Sequence, residues 1–299
     1  MDAATARLRA EDLSPGDQRF ADLDWSELVL EVIDRPDHPS LAEAYARLGR
    51  EFGSRNELET LAVLEKRLGW RPDVPTTNGL HLAYELLVVR RAGRLVAVRD
   101  HSAIVRGPLH SAAAPPQADT ADGPTRVAER PALVHLSHVL VEPELRGSGL
   151  AGWLRALPLG LARRCALAAK NMTDAVVLLA EMEPFDPTDT ASLRRLRAYE
   201  RAGFRKVEPA AVEFCQPDFR PPATIAADTP RPVRLDLILR RVGREAEASI
   251  PARELAHLLD ALYGMYAESL ERDHVSALAA AARARCSRHA TLGLIAPTA

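Results

Sequence analysis

The sequence predicts an α/β fold, and three observations predict it. An apolar run of strand type over 134–141 ends in a Glu-Pro-Glu turn and leads directly into a glycine-containing helix start. Two β-rich runs, 83–90 and 94–98, flank a short Arg-Ala-Gly turn and predict a hairpin. Residues 175–182 form a continuous apolar run, as expected for a strand that is covered on both faces. Strands and helices therefore alternate along the chain.

Composition limits the function classes. With 299 residues, 47% of them hydrophobic, the chain can bury a substantial core. Its formal net charge of −2 gives no general attraction to nucleic acid or to an anionic membrane. Three scattered cysteines (Cys165, Cys215 and Cys286) lack metal-ligand spacing and fit a reducing compartment. Because no signal-type segment or membrane-length apolar run is present, we expect a cytoplasmic protein.

The first third of the chain predicts an arm, a strand and two helices. Residues 1–23 are polar, rich in alanine and without a period, so we expect a loose arm there. A short strand follows over 28–33, and two amphipathic runs then predict two helices in succession. Each helix start has the spacing of a capping box, Ser40 with Glu43 and Asn56 with Glu59.

The remaining elements are predicted from the positions of Pro and Gly and from the spacing of apolar residues. Residues 107–131 have no period and are dense in Pro, Ala and Gly, which predicts a long surface loop. The helix that follows the central strand is expected to continue to about Ala169. Further expected elements are a helix from Asp189 or Thr190 to Gly203, strands over 212–215 and 233–239, and helices over 251–266 and 272–286.

The turn after the central strand has the character of an anion site. Residues 146–151, Arg-Gly-Ser-Gly-Leu-Ala, open a helix whose first N–H groups lack internal partners and whose dipole favours negative charge. Gly147 and Gly149 would let a phosphate approach the main chain without a Cβ in the way. One alternative is a strand–helix turn that binds nothing. Another is a Rossmann dinucleotide site, although no acidic strand end follows about twenty residues later.

The segment VLVEPELRGSGLAGWLRALP resembles the central motif of the GNAT superfamily, the acetyl-CoA-dependent N-acetyltransferases. Arg146, Gly149 and Ala151 occupy the fixed places of that motif. Residues 198–204, AYERAGF, are similar to the later family helix that ends in Tyr, three residues, and Gly-Phe. The resemblance implies a GNAT-type mixed, twisted sheet that parts beside the anion site, with helices on both faces. The expected C-terminal helical extension and the loop over 107–131 exceed a minimal family member.

The resemblance also implies a domain organisation and a cosubstrate. The acetyltransferase domain would cover 24–246, between the arm and a helical extension over 247–299. The cosubstrate would be acetyl-CoA, with its pyrophosphate on the N–H groups of the turn and its pantetheine arm along the end of the preceding strand. The implied cofactor-binding residues are Val139, Leu140, Val141, Arg146, Gly147, Ser148, Gly149, Leu150, Ala151 and Gly152. Arg146 would contribute its backbone, unless it is simply a solvated arginine.

Acyl transfer needs a deprotonated amine and a proton for the leaving thiolate. By resemblance Tyr199 supplies that proton; the alternative is a buried packing tyrosine. Glu181 stands where some family members carry a catalytic glutamate, and Glu183 is expected on the same strand face. The alternative for both is a carboxylate that binds a cationic substrate. His138 is a third candidate base, although a strand histidine is more often a hydrogen-bonded core residue.

The function implied is direct transfer of acetyl from acetyl-CoA to a primary amine, with no covalent intermediate, since no cysteine lies in a matched position. Neither nucleic acid nor a membrane is expected as a partner. The helices after 250 would form a homodimer or cover the acceptor site. The alternative function is a CoA-binding regulatory or assembly module that has lost turnover. The segment EPFDPTDT after Glu181 is longer than in many relatives, so the identity of the amine stays open.

Overall fold

The structure is a computed structural model that describes residues 9–53, 57–107, 130–171 and 173–299. Its described strands form one mixed sheet in the order β1-β2-β3-β4-β5-β8-β6-β10-β9, with β7 paired to β8 beside this path. The strands are β1 Leu28–Ile33, β2 Leu80–Arg91, β3 Arg94–Arg106, β4 Ala132–Val141, β5 Val176–Met182, β6 Arg205–Val207, β7 Phe214–Gln216, β8 Val233–Arg241, β9 Ser249–Pro251 and β10 Thr291–Ile295.

Helices cover both faces of the sheet. They are α1 Leu41–Phe52, α2 Leu61–Leu68, α3 Leu150–Ala156, α4 Pro158–Ala168, α5 Thr190–Arg201, α6 Pro222–Ala226, α7 Ala252–Ala267 and α8 Arg272–Cys286. Successive side chains of β5 point to opposite faces of the sheet and pack against different layers of helices. Leu179 packs into the cluster that contains α7, whereas Leu178 packs into the cluster of α4 and α5. Helices α1 and α2 share the α7 face of β2, where Leu82 and Leu86 both point. The predicted fold class is confirmed.

Helix α1 begins without the predicted capping box. The Ser40 hydroxyl donates to Glu31 of β1 at 2.5 Å, and Glu43 forms an ion pair with Arg90 at 2.6 Å. Arg90 also pairs with Glu31 at 3.0 Å, so these side chains tie α1 to β1 and β2. Both expected caps are therefore used in tertiary contacts, which the local spacing does not reveal.

Helix α2 starts later than predicted. Its N-cap is Thr60, and the expected partner Glu59 instead forms a buried ion pair with Arg67 at 2.5 Å. The other half of the expected box, Asn56, lies outside the described residues. A buried carboxylate needs a partner, and the guanidinium of Arg67, eight residues further along the chain, satisfies that need better than a helix end does.

The N-terminal segment, residues 9–23, is not a loose arm, so the expectation for 1–23 is wrong for its described part. Asp17 forms a buried ion pair with Arg155 of α3 at 2.9 Å, and Asp12 pairs with Arg163 of α4. Leu13 is only 2% exposed. The anchors of this segment lie far along the chain, so its lack of a local period does not mean disorder.

Pro158 divides the single long helix that was expected into α3 and α4. Proline has no N–H and crowds the carbonyl four residues earlier, here that of Leu154. That carbonyl accepts a hydrogen bond from the buried Arg99 Nε at 3.2 Å instead. The break thus exchanges a helix hydrogen bond for a contact to the sheet.

The two helices expected after residue 250 are present as α7 and α8. They belong to the core, because α7 packs on the sheet and β10 continues it by pairing with β6. The short strands β6, β9 and β10 were not predicted, because three to five residues are too few to show the alternation of apolar and polar residues that marks a strand. The predicted loop over 107–131 lies outside the described residues from 108 to 129. No described helix is both long and apolar enough to cross a membrane.

Candidate active site

The sheet is open at one place, between β4 and β5. These two strands are parallel neighbours, and their pairing stops at His135 opposite Leu179. β4 continues to Val141 and β5 to Met182 without pairing with each other. The facing main-chain edges beyond His135 are therefore available to another hydrogen-bonding group. We refer to this opening as the gap.

A β-bulge in β4 explains the gap. On the other side of β4, Arg99 of β3 lies opposite Val139, and His101 lies opposite Leu136. Between these two pairs β4 advances by three residues and β3 by only two, so β4 contains one extra residue near Ser137. A bulge bends its strand and increases the local twist, and bulges are common beside active sites. The bend turns the end of β4 away from β5.

The predicted anion cradle, residues 146–152, lies at the end of β4. Gly149 is the N-cap of α3 with φ +101°, and Gly147 has φ +84°, so both occupy a region that favours glycine. The Ser148 hydroxyl donates to the Leu145 carbonyl at 2.7 Å and accepts from Leu150 N–H at 3.3 Å. The glycine turn and the helix start are thus formed as the sequence predicts, but the N–H groups of Ser148, Leu150 and Gly152 already donate within the turn.

The structure also places the individual cofactor-binding candidates. Arg146 is exposed, and its Nε donates to the Val141 carbonyl at 3.0 Å, so its guanidinium ties the turn to the strand end. Val139 and Val141 are half-buried and pack against the apolar cluster that contains Leu150, whereas Leu140 is buried with 5% exposure. Gly147 is exposed, and Ser148 and Ala151 are half-buried. Leu150 is fully buried and serves packing.

The N-terminal segment covers one side of the cradle. A Cβ placed on Gly149 would lie 2.5 Å from the Phe20 ring, and one on Gly152 would lie 3.0 Å from the Asp17 carboxyl carbon. Trp153 supports this arrangement, since its indole N–H donates to the Phe20 carbonyl at 2.9 Å. The accessible part of the cradle is therefore its outer edge, around Gly147.

Tyr199 lies on the α5 side of the sheet and is 3% exposed. Its oxygen accepts a hydrogen bond from Arg99 Nη2 at 3.2 Å, and the Arg155 guanidinium lies 5.5 Å from its ring centroid. Because the oxygen accepts from Arg99, the phenol keeps its own proton for another acceptor. Burial lowers the pKa of Arg99, whose Nη1 has no hydrogen-bond partner among the described residues. This arrangement is suited to proton donation.

Glu181 lies on the opposite, α7 side and its side chain is only 4% exposed. One carboxylate oxygen accepts from the Tyr266 hydroxyl at 2.7 Å, and the other accepts from Gln216 Nε2 at 2.7 Å. Burial, followed by the charge of Glu181, raises the pKa of Tyr266 well above its usual value, so this phenol stays protonated. Glu181 is thus held rigidly by two donors.

Glu183 does not share a face with Glu181, so that prediction is wrong. Glu183 pairs with Arg195 of α5, on the Tyr199 side of the sheet, and its side chain is 38% exposed. The physical reason is that β5 ends at Met182 and a proline follows, so side-chain alternation ends there as well.

His138 faces Phe52 of α1 and the connection between α1 and α2 rather than the gap. Its backbone N–H donates to Asp100 at 2.7 Å, its Nδ1 lies 3.1 Å from the same carboxylate, and its Nε2 lies 2.8 Å from the Glu57 carbonyl. Burial is the largest single effect and lowers the pKa of His138, but the charge of Asp100 and the hydrogen bonds of the ring together raise it to about 9. His138 therefore carries its proton at neutral pH, which fits a core ion pair better than a general base.

Three polar residues near the gap were not found from the sequence. His135 places Nε2 3.5 Å from Glu181 Oε1 and 3.5 Å from the Tyr266 hydroxyl oxygen, while the Ser137 hydroxyl lies 3.2 Å from its Nδ1. The spacing His-x-Ser in β4 was visible in the sequence. The contribution of Tyr266, from the C-terminal part of the chain, had no sequence signal.

A polar cavity of about 240 Å³ lies beside the strand end that leads into the cradle. Its lining residues are Glu43, Arg47, Arg50, Arg94, Leu95 and Glu142. Arg47 pairs with Glu142 at 2.8 Å, so the cavity also holds the start of the turn in place. It contains neither Tyr199 nor Glu181 and is separate from the candidate catalytic side chains.

Comparison with known proteins gives structural likenesses only. No protein-family model matches the chain, and no curated protein matches it. A tandem GNAT protein from the clavulanic acid biosynthesis pathway, without AcCoA, is 18% identical over 64% of this chain and 47% of that chain, with a TM-score of 0.37. This chain thus spans about half of that protein.

Two single-domain structures are similar over a larger share of their length. An acetyltransferase of the GNAT family from Streptococcus pneumoniae is 15% identical over 72% of this chain and 99% of that chain, with a TM-score of 0.31. An IAA acetyltransferase from Bacillus cereus is 12% identical over 72% of this chain and 99% of that chain, with a TM-score of 0.28. Likenesses this distant assign no activity, which has to be argued from the residues of this chain.

Proposed function

We propose that this protein is an N-acetyltransferase that moves the acetyl group of acetyl-CoA directly to a primary amine. The observation that carries the proposal is the gap between β4 and β5, with a glycine-capped helix start at the end of β4. The unpaired edge over 139–141 suits the amides of the pantetheine arm, which would add to the sheet like a short strand. The N–H groups of Gly147 and Ala151 themselves, which donate to no described residue, suit the pyrophosphate.

The two faces of the gap supply different chemistry. Tyr199 and its donor Arg99 lie on the α5 side, and Glu181 with His135 lies on the α7 side. A thioester held in the gap would have a proton donor on one side of the sheet and proton acceptors on the other. This division matches what amine acylation needs, since the amine loses a proton and the thiolate gains one.

The proposed reaction proceeds in a ternary complex. The amine nitrogen attacks the thioester carbonyl carbon and forms the new N–C bond. When the C–S bond breaks, its electron pair stays on sulfur, and the Tyr199 hydroxyl donates a proton to that thiolate. The buried cation Arg99 then stabilises the Tyr199 oxygen as negative charge develops on it.

Cofactor binding can be tested with a matched pair of variants at Ala151, in the first turn of α3. Glutamate is favourable for a helix at this position but would repel the pyrophosphate, whereas glutamine of the same size carries no charge. We expect acetyl-CoA at 100 times its Kd to stabilise the wild type by about 2.7 kcal/mol. Ala151→Gln should keep most of this thermal shift, and Ala151→Glu should lose it. A wild type without any shift at millimolar acetyl-CoA refutes the proposal.

The amine can then be sought by thiol release from acetyl-CoA with a polyamine, an aminoglycoside, free lysine and a peptide N-terminus. The second candidate function is a CoA-binding module without turnover. It is favoured by the full engagement of Glu181, both of whose oxygens already accept hydrogen bonds from other side chains. The two differ in one result, because a module would bind acetyl-CoA and release no thiol with any amine.

A further inference from the structure

The contacts of Glu181 argue against its acting as the base itself. Both of its oxygens already accept hydrogen bonds at 2.7 Å, from Tyr266 and Gln216, and its side chain is 4% exposed. With both oxygens occupied, Glu181 can take a proton from an amine only by giving up one of these hydrogen bonds. Glu181 is better placed to orient a neighbour.

That neighbour is His135, and the contacts define its tautomer. The Nε2 atom lies 3.5 Å from both Glu181 Oε1 and the Tyr266 oxygen. Tyr266 uses its only proton on Glu181, so both atoms near Nε2 are acceptors. In the neutral imidazole the proton therefore resides on Nε2, and Nδ1 carries the free lone pair.

The free lone pair faces a hydroxyl at the gap. Ser137 Oγ lies 3.2 Å from His135 Nδ1, and Ser137 is half-buried at the bulge of β4, where His135 is only 3% exposed. Ser137 is thus the more exposed of the two side chains. A base within hydrogen-bond reach of a hydroxyl and oriented by a third group is a recurring catalytic arrangement.

We infer that Ser137 and His135 form the proton relay that deprotonates the acceptor amine, an assignment that rests on the proposed function. As the N–C bond forms, an amine proton passes to Ser137 Oγ while the serine proton passes to His135 Nδ1. The imidazolium that results is stabilised by Glu181 through Nε2–H. Glu181 and Tyr266 are positioning residues. The electron pair of the C–S bond stays on sulfur, and Tyr199 donates the proton to this thiolate from the other face of the sheet.

The tautomer can be measured without knowing the amine. Nitrogen-15 labelling of histidine side chains should show a residue with its proton on Nε2 and a lone pair on Nδ1, whose signal disappears in His135→Gln. In Tyr266→Phe the oxygen that helps to fix the Nε2 proton is gone, and we expect the signal to broaden or shift towards the other tautomer. A wild-type His135 protonated on Nδ1 alone overturns the relay.

The kinetic test uses the amine that gives the fastest thiol release in the panel described above. Ser137→Ala and His135→Gln should each lower kcat about 100-fold, with the thermal shift by acetyl-CoA unchanged. Ser137→Thr should restore most of the rate, and imidazole should partly rescue His135→Ala. Ser287→Ala and His289→Gln, which change an exposed serine and an exposed histidine, are the matched controls.

Three results would overturn the relay. The first is a wild-type rate in both Ser137→Ala and His135→Gln. The second is an acetyl group on the wild type after incubation with acetyl-CoA alone that is absent from Ser137→Ala, since this would make Ser137 a nucleophile. The third is a wild type that binds acetyl-CoA but acetylates no amine, in which case the proposed function fails together with the relay.

Discussion

The buried pair Asp100–His138 makes stability depend on pH in a predictable direction. Both groups are within the core, and Asp100 also accepts from the Tyr84 hydroxyl at 3.0 Å. The partner charge, working against burial, raises the pKa of His138 from 6.5 to about 9 and lowers that of Asp100. The perturbation to test is Asp100→Asn, which keeps the shape and removes the charge.

The magnitude follows from linkage. Moving the pKa of His138 from 6.5 to about 9 corresponds to about 3 kcal/mol of stabilisation. Because the folded-state pKa is the higher one, this contribution is fully present below pH 6.5 and is lost as pH rises through about 9. The pKa of Asp100 is lowered, so its contribution is present above 3.8 and is lost as pH falls below that.

Urea unfolding at a series of pH values between 6 and 9.5 measures this dependence. The wild type should lose about 3 kcal/mol more than Asp100→Asn across that range, because the variant histidine has no carboxylate to hold its proton. Other histidines and thiols titrate in both proteins, so the difference between the two curves isolates the pair. Parallel curves would show that Asp100 does not hold the proton on His138.

Three further predictions concern the gap and the cradle. Tyr199→Phe should lower kcat about 100-fold or more and leave the thermal shift by acetyl-CoA unchanged, as measured by thiol release and melting. Gly147→Ala should cost about 1 kcal/mol in urea unfolding, whereas Gly149→Ala should cost more, because its methyl group also meets the Phe20 ring. Asp17→Asn breaks a buried ion pair and should cost about 3 kcal/mol; if it leaves stability unchanged, the N-terminal segment does not anchor on α3.

The cradle was predictable because its signal is local. Two glycines, a strand before them and a helix after them lie within one short stretch, and φ angles of +84° and +101° at Gly147 and Gly149 are what that stretch demands. The cap of α5 is similar, since the Asp189 side chain accepts from the N–H groups of Ala191 and Ser192. Features whose causes lie within a few residues are recoverable from one sequence.

Side chains with distant partners were not predictable. Glu59 has the spacing of a capping residue, but its partner Arg67 and the surrounding core draw it inward. Asp17 looks like part of a polar arm until Arg155, far along the chain, is brought beside it. Glu183 appears to continue the pattern of a strand that has already ended. In each case a tertiary contact outweighs a weak local preference.

The α7 side of the gap shows why its chemistry was hidden. Arg67 of α2 is fully buried, and its guanidinium lies 5.9 Å from the Tyr84 ring centroid and 5.8 Å from that of Tyr266. One cation thus lies between the tyrosine that donates to Asp100 and the tyrosine that donates to Glu181. Segments from α2, the central sheet and α7 meet only in the folded core. Helix α7 is therefore part of the acceptor side of the gap, and loss of its Tyr266 hydroxyl should affect the orientation of Glu181 before it affects the cradle.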